Sequence, residues 1–455
     1  MSSLDYLFNP RSIVLIGAAH SELKLGGIVL KNLLNFRGKI YPVNPKYDEL
    51  MGVKAYRTVG EIPDSADLGI IMRPASEVPE ILKELAGKVK CAIVVSSGFA
   101  EIGEHELQSE VKRIVKEAGI RLLGPNCMGV FYPGNRLDTL FITHERMKRP
   151  GKGNVAILSQ SGAIMASLFE TIRVLNTGIS KAVGYGNAVD IDESDLYEYF
   201  LQDKETDVVV SYIESLGDGR KFVDRARALS EKKSLIVLKS GKGAGGSAAA
   251  FSHTGRLAGR YEVFHSILKQ FGIQEAKDFD ELMDAAKALS YQGAPGKPSP
   301  AAEGRGGRVC IVTNGGGSGV LAADECMRQG LDVVTVSDEK MSRLRGVFPN
   351  FYVLHNPIDL TAQVKDDDFL TVLNELKDDY DGFVVIALPN VLGITERLGD
   401  LMKQFRENVP KPLVFHIPTD GVSNRIITLL EKARIPVYSS PERAIRGLAA
   451  LLQQQ

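Results

Sequence analysis

The chain has 455 residues, enough for roughly three domains of ~150 residues with sizeable cores. Its 44% apolar and 24% charged residues are ordinary for a soluble globular protein and exclude a disordered or membrane-embedded composition. With 55 basic and 56 acidic side chains the net charge is -1, so no global field favours nucleic acid or anionic membrane, and a phosphate-bearing ligand must be held by local devices.

Short β-branched runs alternate with helical patterns along the whole chain. Strands are predicted at Ser12–Gly17, Leu68–Met72, Cys91–Ser96, Asn154–Ser159, Asp207–Tyr212, Ser234–Ser240, Arg308–Thr313, Phe383–Leu388 and Pro412–Ile417. Continuous apolar strands followed by amphipathic stretches indicate parallel sheets covered on both faces, hence doubly wound α/β domains. A basic Gly/Pro turn at Lys148–Gly153 and a Pro/Gly/Ala stretch at Gln292–Gly307 interrupt the pattern. They divide the chain into domains at 1–148, 152–288 and 307–455, with a linker over 289–306. Cys91, Cys127, Cys310 and Cys326 are widely spaced without a CxxC pair, which argues against a zinc ribbon or disulfide framework and fits a reducing compartment. The N-terminus lacks a signal-peptide core and no apolar run is long enough to span a bilayer, so a cytoplasmic location is expected.

The junctions where strands meet helices carry the chemistry. Gly17-Ala18-Ala19-His20 follows the first strand, and Gly26-Gly27 open a helix pattern. A glycine there permits a tight turn and close approach to a phosphate, although a plain strand-to-helix turn would use the same residues. The sequence is not GxGxxG, and the second strand ends at Val43-Asn44-Pro45-Lys46 with no acid for a ribose hydroxyl, which disfavours NAD. Ser96, Ser97, Gly98 and the run Gly124-Pro125-Asn126-Cys127-Met128-Gly129 end two more strands on the carboxyl edge, where ligands bind. Cys127 has no identifiable base and reads as a small packing residue at that edge.

Gln160-Ser161-Gly162-Ala163 joins the next strand to a helix, offering free N–H groups, a hydroxyl and the positive end of a helix dipole. Ser161 is therefore an anion-site candidate, with a simple N-cap as the structural alternative. SQSGA is not the GxSxG elbow of a hydrolase. The turn Gly186–Asp190 is polar and tight and serves structure or function equally well. Asn314, Gly315, Gly316 and Gly317 form a second strand-to-helix cradle without the GK[ST] ending of a P-loop. Asp359 reads as a ligand-site or a helix-capping residue, with capping preferred. His265 is expected to be half-buried packing, His416 lies inside an apolar strand, and neither has a companion at metal-ligand spacing. His253 ends a run of very small residues, Gly241–Gly255, that cannot build a core. Glu214, at the end of a strand, is placed to accept a hydrogen bond from the His253 imidazole, fix its tautomer and leave the other nitrogen as nucleophile.

Ten segments occur in one order: GAAHSELKLGG, VNPK, SSGFAE, GPNCMGV, SQSGA, GNAVDID, YIES, SHTG, NGGGSG and NPIDLT. Together they resemble the α subunit of the ADP-forming acyl-CoA synthetases, within the succinyl-CoA synthetase superfamily, over essentially the whole chain. The resemblance implies a Rossmann-like CoA-binding domain followed by two flavodoxin-like domains, the first carrying a phosphorylated histidine. It implies that acyl-CoA, ADP and phosphate give acid, ATP and CoA reversibly, acetyl-CoA being the type substrate. His253 matches the phosphorylated histidine and Glu214 the acid that orients it. Ser161 and Gly162 match one phosphate-binding helix terminus, and Gly315 to Gly317, with Asn314, a second that belongs to the other subunit in succinyl-CoA synthetase. Gly17, Ala18, Val43, Lys46, Ser96, Ser97, Gly98, Asn126 and Cys127 fall in the CoA site. Ala19 stands where Ser is usual, which removes one contact to a CoA phosphate. No metal site is expected on this chain. Mg2+ with ADP or ATP belongs to an ATP-grasp β subunit, in an α2β2 heterotetramer that engages neither nucleic acid nor membrane. A non-catalytic CoA-binding regulatory or scaffold protein of the same fold is the alternative, and the presence of both His253 and Glu214 argues against it.

Overall fold

The computed structural model describes residues 4–243, 260–293, 306–418 and 423–453. The chain divides into two compact units, Met1–Glu275 and Ala276–Gln455. All nine predicted strands form, each within two residues of its expected ends.

The first unit contains two main sheets. One is parallel, in the order Lys39–Val43, Ser12–Ile16, Leu68–Ile71, Cys91–Val94, Arg121–Leu123. Its three central strands are buried at every position, as a sheet covered on both faces requires. The other runs Gln274–Glu275, Ser234–Lys239, Val208–Ile213, Lys152–Ser159, Ile179–Gly184, Gly129–Tyr132, Leu137–Asp138. Its first five strands are parallel; the last two form an antiparallel hairpin on the edge. That hairpin comes from residues assigned by sequence to the domain at 1–148, so the chain crosses between the sheets before Lys148. Gly129–Tyr132 finds its hydrogen-bond partners on Ile179–Gly184, and the apolar residues of both sheets share one core.

Ile179–Gly184 was not visible as a strand because a lysine interrupts it. The Lys181 side chain is 2% exposed, pairs with Asp203 at 2.8 Å and Glu205 at 3.3 Å, and lies 4.3 Å above the Tyr132 ring. A buried ammonium is tolerated there because two carboxylates and a π face replace its water.

The second unit holds one parallel sheet ordered Ile358–Asp359, Val309–Thr313, Gly382–Ile386, Leu413–His416, Val437–Tyr438. The reading of 152–288 as one domain placed residues 279–288 with the middle segment. In the structure the helix Phe279–Gln292 finds its partners within the C-terminal unit. Asp284 takes a forked bond from Arg443, and Lys287 donates to Glu431 and to the Val437 carbonyl. Each parallel array follows the doubly wound order two-one-three-four-five, so the chain reverses direction across the sheet beside its first strand. The crevice at that switch point, beyond the carboxyl ends, is where ligands bind in such sheets. Among the described residues no helix is long and apolar enough to cross a membrane.

Burial alone would raise the Glu205 carboxyl, but Lys152, the Tyr132 hydroxyl and Lys181 hold it at about 2. A depressed carboxylate stabilises the fold above its unfolded value and ceases to do so as pH falls through the folded one. Glu205→Gln is therefore expected to lower the melting temperature by a few degrees at pH 7, on the order of 2–4 °C per kcal/mol lost. The gap to wild type should narrow below the ordinary value of 4.5. Melts between pH 7 and 3 with a constant gap would contradict this account.

Candidate functional site

At the first switch point Gly17 leaves its strand with φ +86°, a left-handed conformation suited to glycine. A Cβ on Gly17 would stand 2.6 Å from the Met72 carbonyl, and one on Gly26 only 2.0 Å from the Gly17 carbonyl. The helix Leu25–Leu33 thus begins directly against the turn, backbone on backbone. The Gly17 N–H donates to the Val43 carbonyl at 3.2 Å. Asn44, which argued against NAD, is occupied with the backbone. Its amide donates to the Ala18 carbonyl at 2.7 Å and accepts from the Lys46 N–H at 2.9 Å. Ala18 is buried, while the Lys46 side chain lies in an exposed position. Arg73, which the sequence pattern did not single out, brings its Cδ to 3.1 Å from the place of a Gly17 Cβ, with its guanidinium forked onto Glu77 at 2.8 and 2.9 Å.

The loop after Cys91–Val94 lies next along this edge. Ser96 donates to the Arg73 carbonyl, Ser97 is exposed, and Gly98 has φ +110°. Glu101 accepts from the Gly98 and Phe99 N–H groups at 2.6 and 3.2 Å. Its other oxygen takes a 2.7 Å bond from the Asn187 amide, which also donates to Gln108 at 2.9 Å and accepts from Asn126 at 3.3 Å. Burial pushes the Glu101 carboxyl up, and these donors reverse the shift to leave it low. The polar turn Gly186–Asp190 is thereby accounted for: it locks the edge of one sheet to the edge of the other. Cys127 is 4% exposed, its thiol donates to the Val94 carbonyl, and burial pushes it up to about 12, so it packs and does not react at neutral pH. Met128, from the same loop, reaches the second sheet, its Sδ 3.5 Å from the place of a Gly162 Cβ.

Gly162 opens the helix Gly162–Val174 at the switch point of the second sheet, with Ser161 as N-cap accepting from the Ile164 N–H at 3.3 Å. The Ser159 hydroxyl accepts from the Ser161 N–H at 3.2 Å and donates to its carbonyl at 2.7 Å. Gln160, between them, bridges the crevice. Its Oε1 accepts from the backbone N–H groups of Glu214 and Ser215 at 2.5 and 2.9 Å, and its Nε2 donates to the Ser215 carbonyl at 2.9 Å. Glu214 is 7% exposed at the end of Val208–Ile213. Below it the buried Lys239 ammonium donates to the carbonyls of Glu214 and Ser240 at 2.6 and 2.5 Å, and burial pushes it down to about 8. The Ser215 hydroxyl is buried and has no hydrogen-bond partner among the described residues. His253 lies outside the described residues.

In the second unit Gly315 caps the helix Gly316–Arg328. The Thr313 hydroxyl accepts from the Gly315 N–H at 3.0 Å and donates to its carbonyl at 3.2 Å. Asn314 accepts from the Leu388 N–H at 2.8 Å and donates to the Leu388 carbonyl at 3.1 Å. Its amide is therefore engaged with backbone, and the groups turned to the open side are those of Gly316 and Gly317, both exposed. Asp359 does not cap a helix: it closes its own turn by accepting from the Thr361 N–H at 2.9 Å, with Oδ2 2.9 Å from the place of a Gly316 Cβ. His265 is more exposed than expected and bonds Glu275 at 2.6 Å, while buried His416 bonds the Tyr438 carbonyl at 3.0 Å.

Three family models match in sequence: a CoA binding domain over 11–133, a succinyl-CoA ligase like flavodoxin domain over 152–289 and a Ligase-CoA domain over 309–443. The chain is 38% identical to the α subunit of acetate–CoA ligase [ADP-forming] II of Pyrococcus furiosus, over 99% of this chain and 98% of that one. It belongs to the ADP-forming acyl-CoA ligase family. The acetate–CoA ligase [ADP-forming] of Methanocaldococcus jannaschii is likewise 38% identical over 98% of this chain, which spans 63% of that longer protein. The dinucleotide-forming acetyl-coenzyme A synthetase 1 of Ca. Korarchaeum cryptofilum, solved with phosphate and ADP, superposes with a TM-score of 0.88 at 34% identity. That match covers 100% of this chain and 97% of the other.

The Gly26 contact sets the CoA-side turn of this ligase chain. Gly26→Ala is expected to cost about 1–3 kcal/mol of stability, as overpacking against rigid backbone does. It should also weaken CoA binding in a calorimetric titration. A variant with wild-type melting and wild-type affinity would remove this contact from the account.

Proposed function

We propose that the chain is the α subunit of an ADP-forming acyl-CoA synthetase, converting acyl-CoA, ADP and phosphate reversibly to acid, ATP and CoA. The observation that carries the proposal is the second switch point. A capped helix terminus, a buried strand-end acid and a loop from the CoA-side sheet converge there within one compact unit. CoA is assigned to the edge formed by Gly17, Ala18, Val43, Lys46, Ser96, Ser97, Gly98, Asn126 and Cys127, with Cys127 supporting the loop from within. The left-handed Gly17 turn, opening onto the helix at Leu25, suits close approach of a phosphate-bearing ligand.

Phosphate would bind at the Ser161–Gly162 terminus, where backbone N–H groups and the helix dipole offset its charge without a net positive protein. The Ser215 hydroxyl, without a partner among the described residues, offers a further donor nearby. A phosphate oxygen attacks the thioester carbonyl, the C–S bond breaks, and CoA leaves as thiolate to be protonated. The imidazole of His253 then attacks phosphorus, the acyl carboxylate leaves, and a phosphohistidine remains. Glu214 would accept the N–H of that ring and offset the positive charge that develops on it. The β-phosphate of ADP takes the phosphoryl group in the last step. That nucleotide, with Mg2+, is assigned to an ATP-grasp β subunit, in an α2β2 assembly in the cytoplasm; the α-subunit designation of the Pyrococcus relatives supports a partner chain. Gly315, Gly316 and Gly317 would hold a phosphate in the second unit, with Asn314 shaping the turn.

Incubation with acetyl-CoA and labelled phosphate, with and without a β partner, tests the reading. Acid-labile, alkali-stable label is expected on His253 and should vanish in His253→Ala. Glu214→Gln should lower the labelling rate on the order of 100-fold, the range of a positioned proton-accepting group. Absence of label even with the partner present would refute the synthetase reading, and an unchanged rate in Glu214→Gln would remove that residue from the mechanism.

A further inference from the structure

The helix termini at Ser161 and Gly315 share one plan, with one additional bond at Gln160. A strand-end hydroxyl, Ser159 or Thr313, holds the N–H and carbonyl two residues on. The next side chain is an amide, Gln160 or Asn314, that reaches across the switch point to the third strand of its sheet. Registers also correspond: Ser159 lies opposite Tyr212 and Thr313 opposite Ile386, so two residues further on Glu214 matches Leu388. The Gln160 clip therefore takes the N–H of an acid and both backbone groups of the serine that follows it, whereas the Asn314 clip takes both backbone groups of an apolar residue.

We infer that Gln160 is a positioning residue for Glu214, fixing the acid's backbone against the Ser161 helix terminus so that carboxylate and bound phosphate keep one geometry. The inference rests on the proposed role of Glu214 at His253. Glu214 stands past the end of its strand, beyond the ladder that holds Val208–Ile213 to both neighbours. Its N–H is given to Gln160 Oε1, and the same oxygen takes the Ser215 N–H. Gln160 is 8% exposed, so water does not readily replace the amide once it is removed. Loss of the clip releases the N–H side of Glu214, whose carbonyl stays with Lys239, and so loosens the aim of its side chain; a displacement near 1 Å is enough to slow a positioned reaction on the order of 100-fold. Asn314 makes its clip on Leu388 alone, with no acid in it.

A double-mutant cycle on the full chain with its β partner tests this, reading the initial rate of histidine labelling from acetyl-CoA and labelled phosphate. Gln160→Met is expected to slow labelling by at least ~10-fold with Glu214 present and by less than about twofold in the Glu214→Gln background. Its melting temperature should fall equally in both. A merely structural role would slow both backgrounds by the same factor, and that result, or an unchanged rate, overturns the inference. Gln160→Asn, which keeps the amide but shortens its reach, carries the same expectations should Gln160→Met fail to fold. If the wild-type chain takes up no label, the synthetase reading fails; if it labels and the cycle is additive, only the role of Gln160 fails.

Discussion

Where a parallel sheet reverses its winding, two neighbouring strands part, and the last backbone N–H and carbonyl groups lose the ladder that satisfied them. Leaving such groups buried and unpaired costs roughly 1–3 kcal/mol each. The molecule meets this cost with side-chain amides. Gln160 bridges the switch point of the second sheet and Asn314 that of the third, while in the first sheet Asn44 ties the end of the second strand to that of the first. Each bridge leaves the crevice open, because the amide replaces a strand neighbour without filling the space above it. The helix that follows then starts at a defined height, with its free N–H groups turned towards the crevice. Every feature assigned to ligand binding depends on that arrangement.

Within the first unit the two sheets work as one body. The hairpin Gly129–Asp138 is sequentially attached to the CoA-side sheet yet completes the edge of the other. Asn187 joins Glu101, Gln108 and Asn126 in a buried polar junction, and Met128 packs against Gly162 and Gly184. A thioester bound on one edge and a phosphate on the other can hold a fixed relation only if such a junction is rigid. The polar groups in it are mutually paired, which is the condition under which buried polar networks stiffen a structure instead of weakening it.

Much of this was legible in advance, and the gaps have physical causes. Strands such as Ser12–Ile16 and Val208–Ile213 announce themselves because both faces are buried, so every residue is apolar or nearly so. Ile179–Gly184 did not, since Lys181 interrupts the pattern and only tertiary carboxylates make its burial tolerable. Arg121–Leu123, Ile358–Asp359 and Val437–Tyr438 are too short for any periodicity to show. The placement of Phe279–Gln292 could not be read either: its amphipathic pattern says that one face is covered, not by which partner. Gln160 lay in plain view inside SQSGA, yet its meaning depends on Glu214 and Ser215, more than fifty residues away.

The amino-acid sequence by itself determined the α/β class, the glycine-bearing strand-to-helix turns and the resemblance to acyl-CoA synthetases, because these depend on local composition and on the order of short motifs. Tertiary structure decided which of the polar residues hold the scaffold. The amide of the site candidate Asn314 proves to hold backbone, Cys127 packs as its lack of a base led one to expect, and Asn187 and Gln160 turn from loop residues into junctions. A polar side chain at a strand end can serve ligand or backbone with equal chemical fitness. The partner is chosen by what the fold brings within hydrogen-bonding reach, and that is a property of strand order, not of the residue.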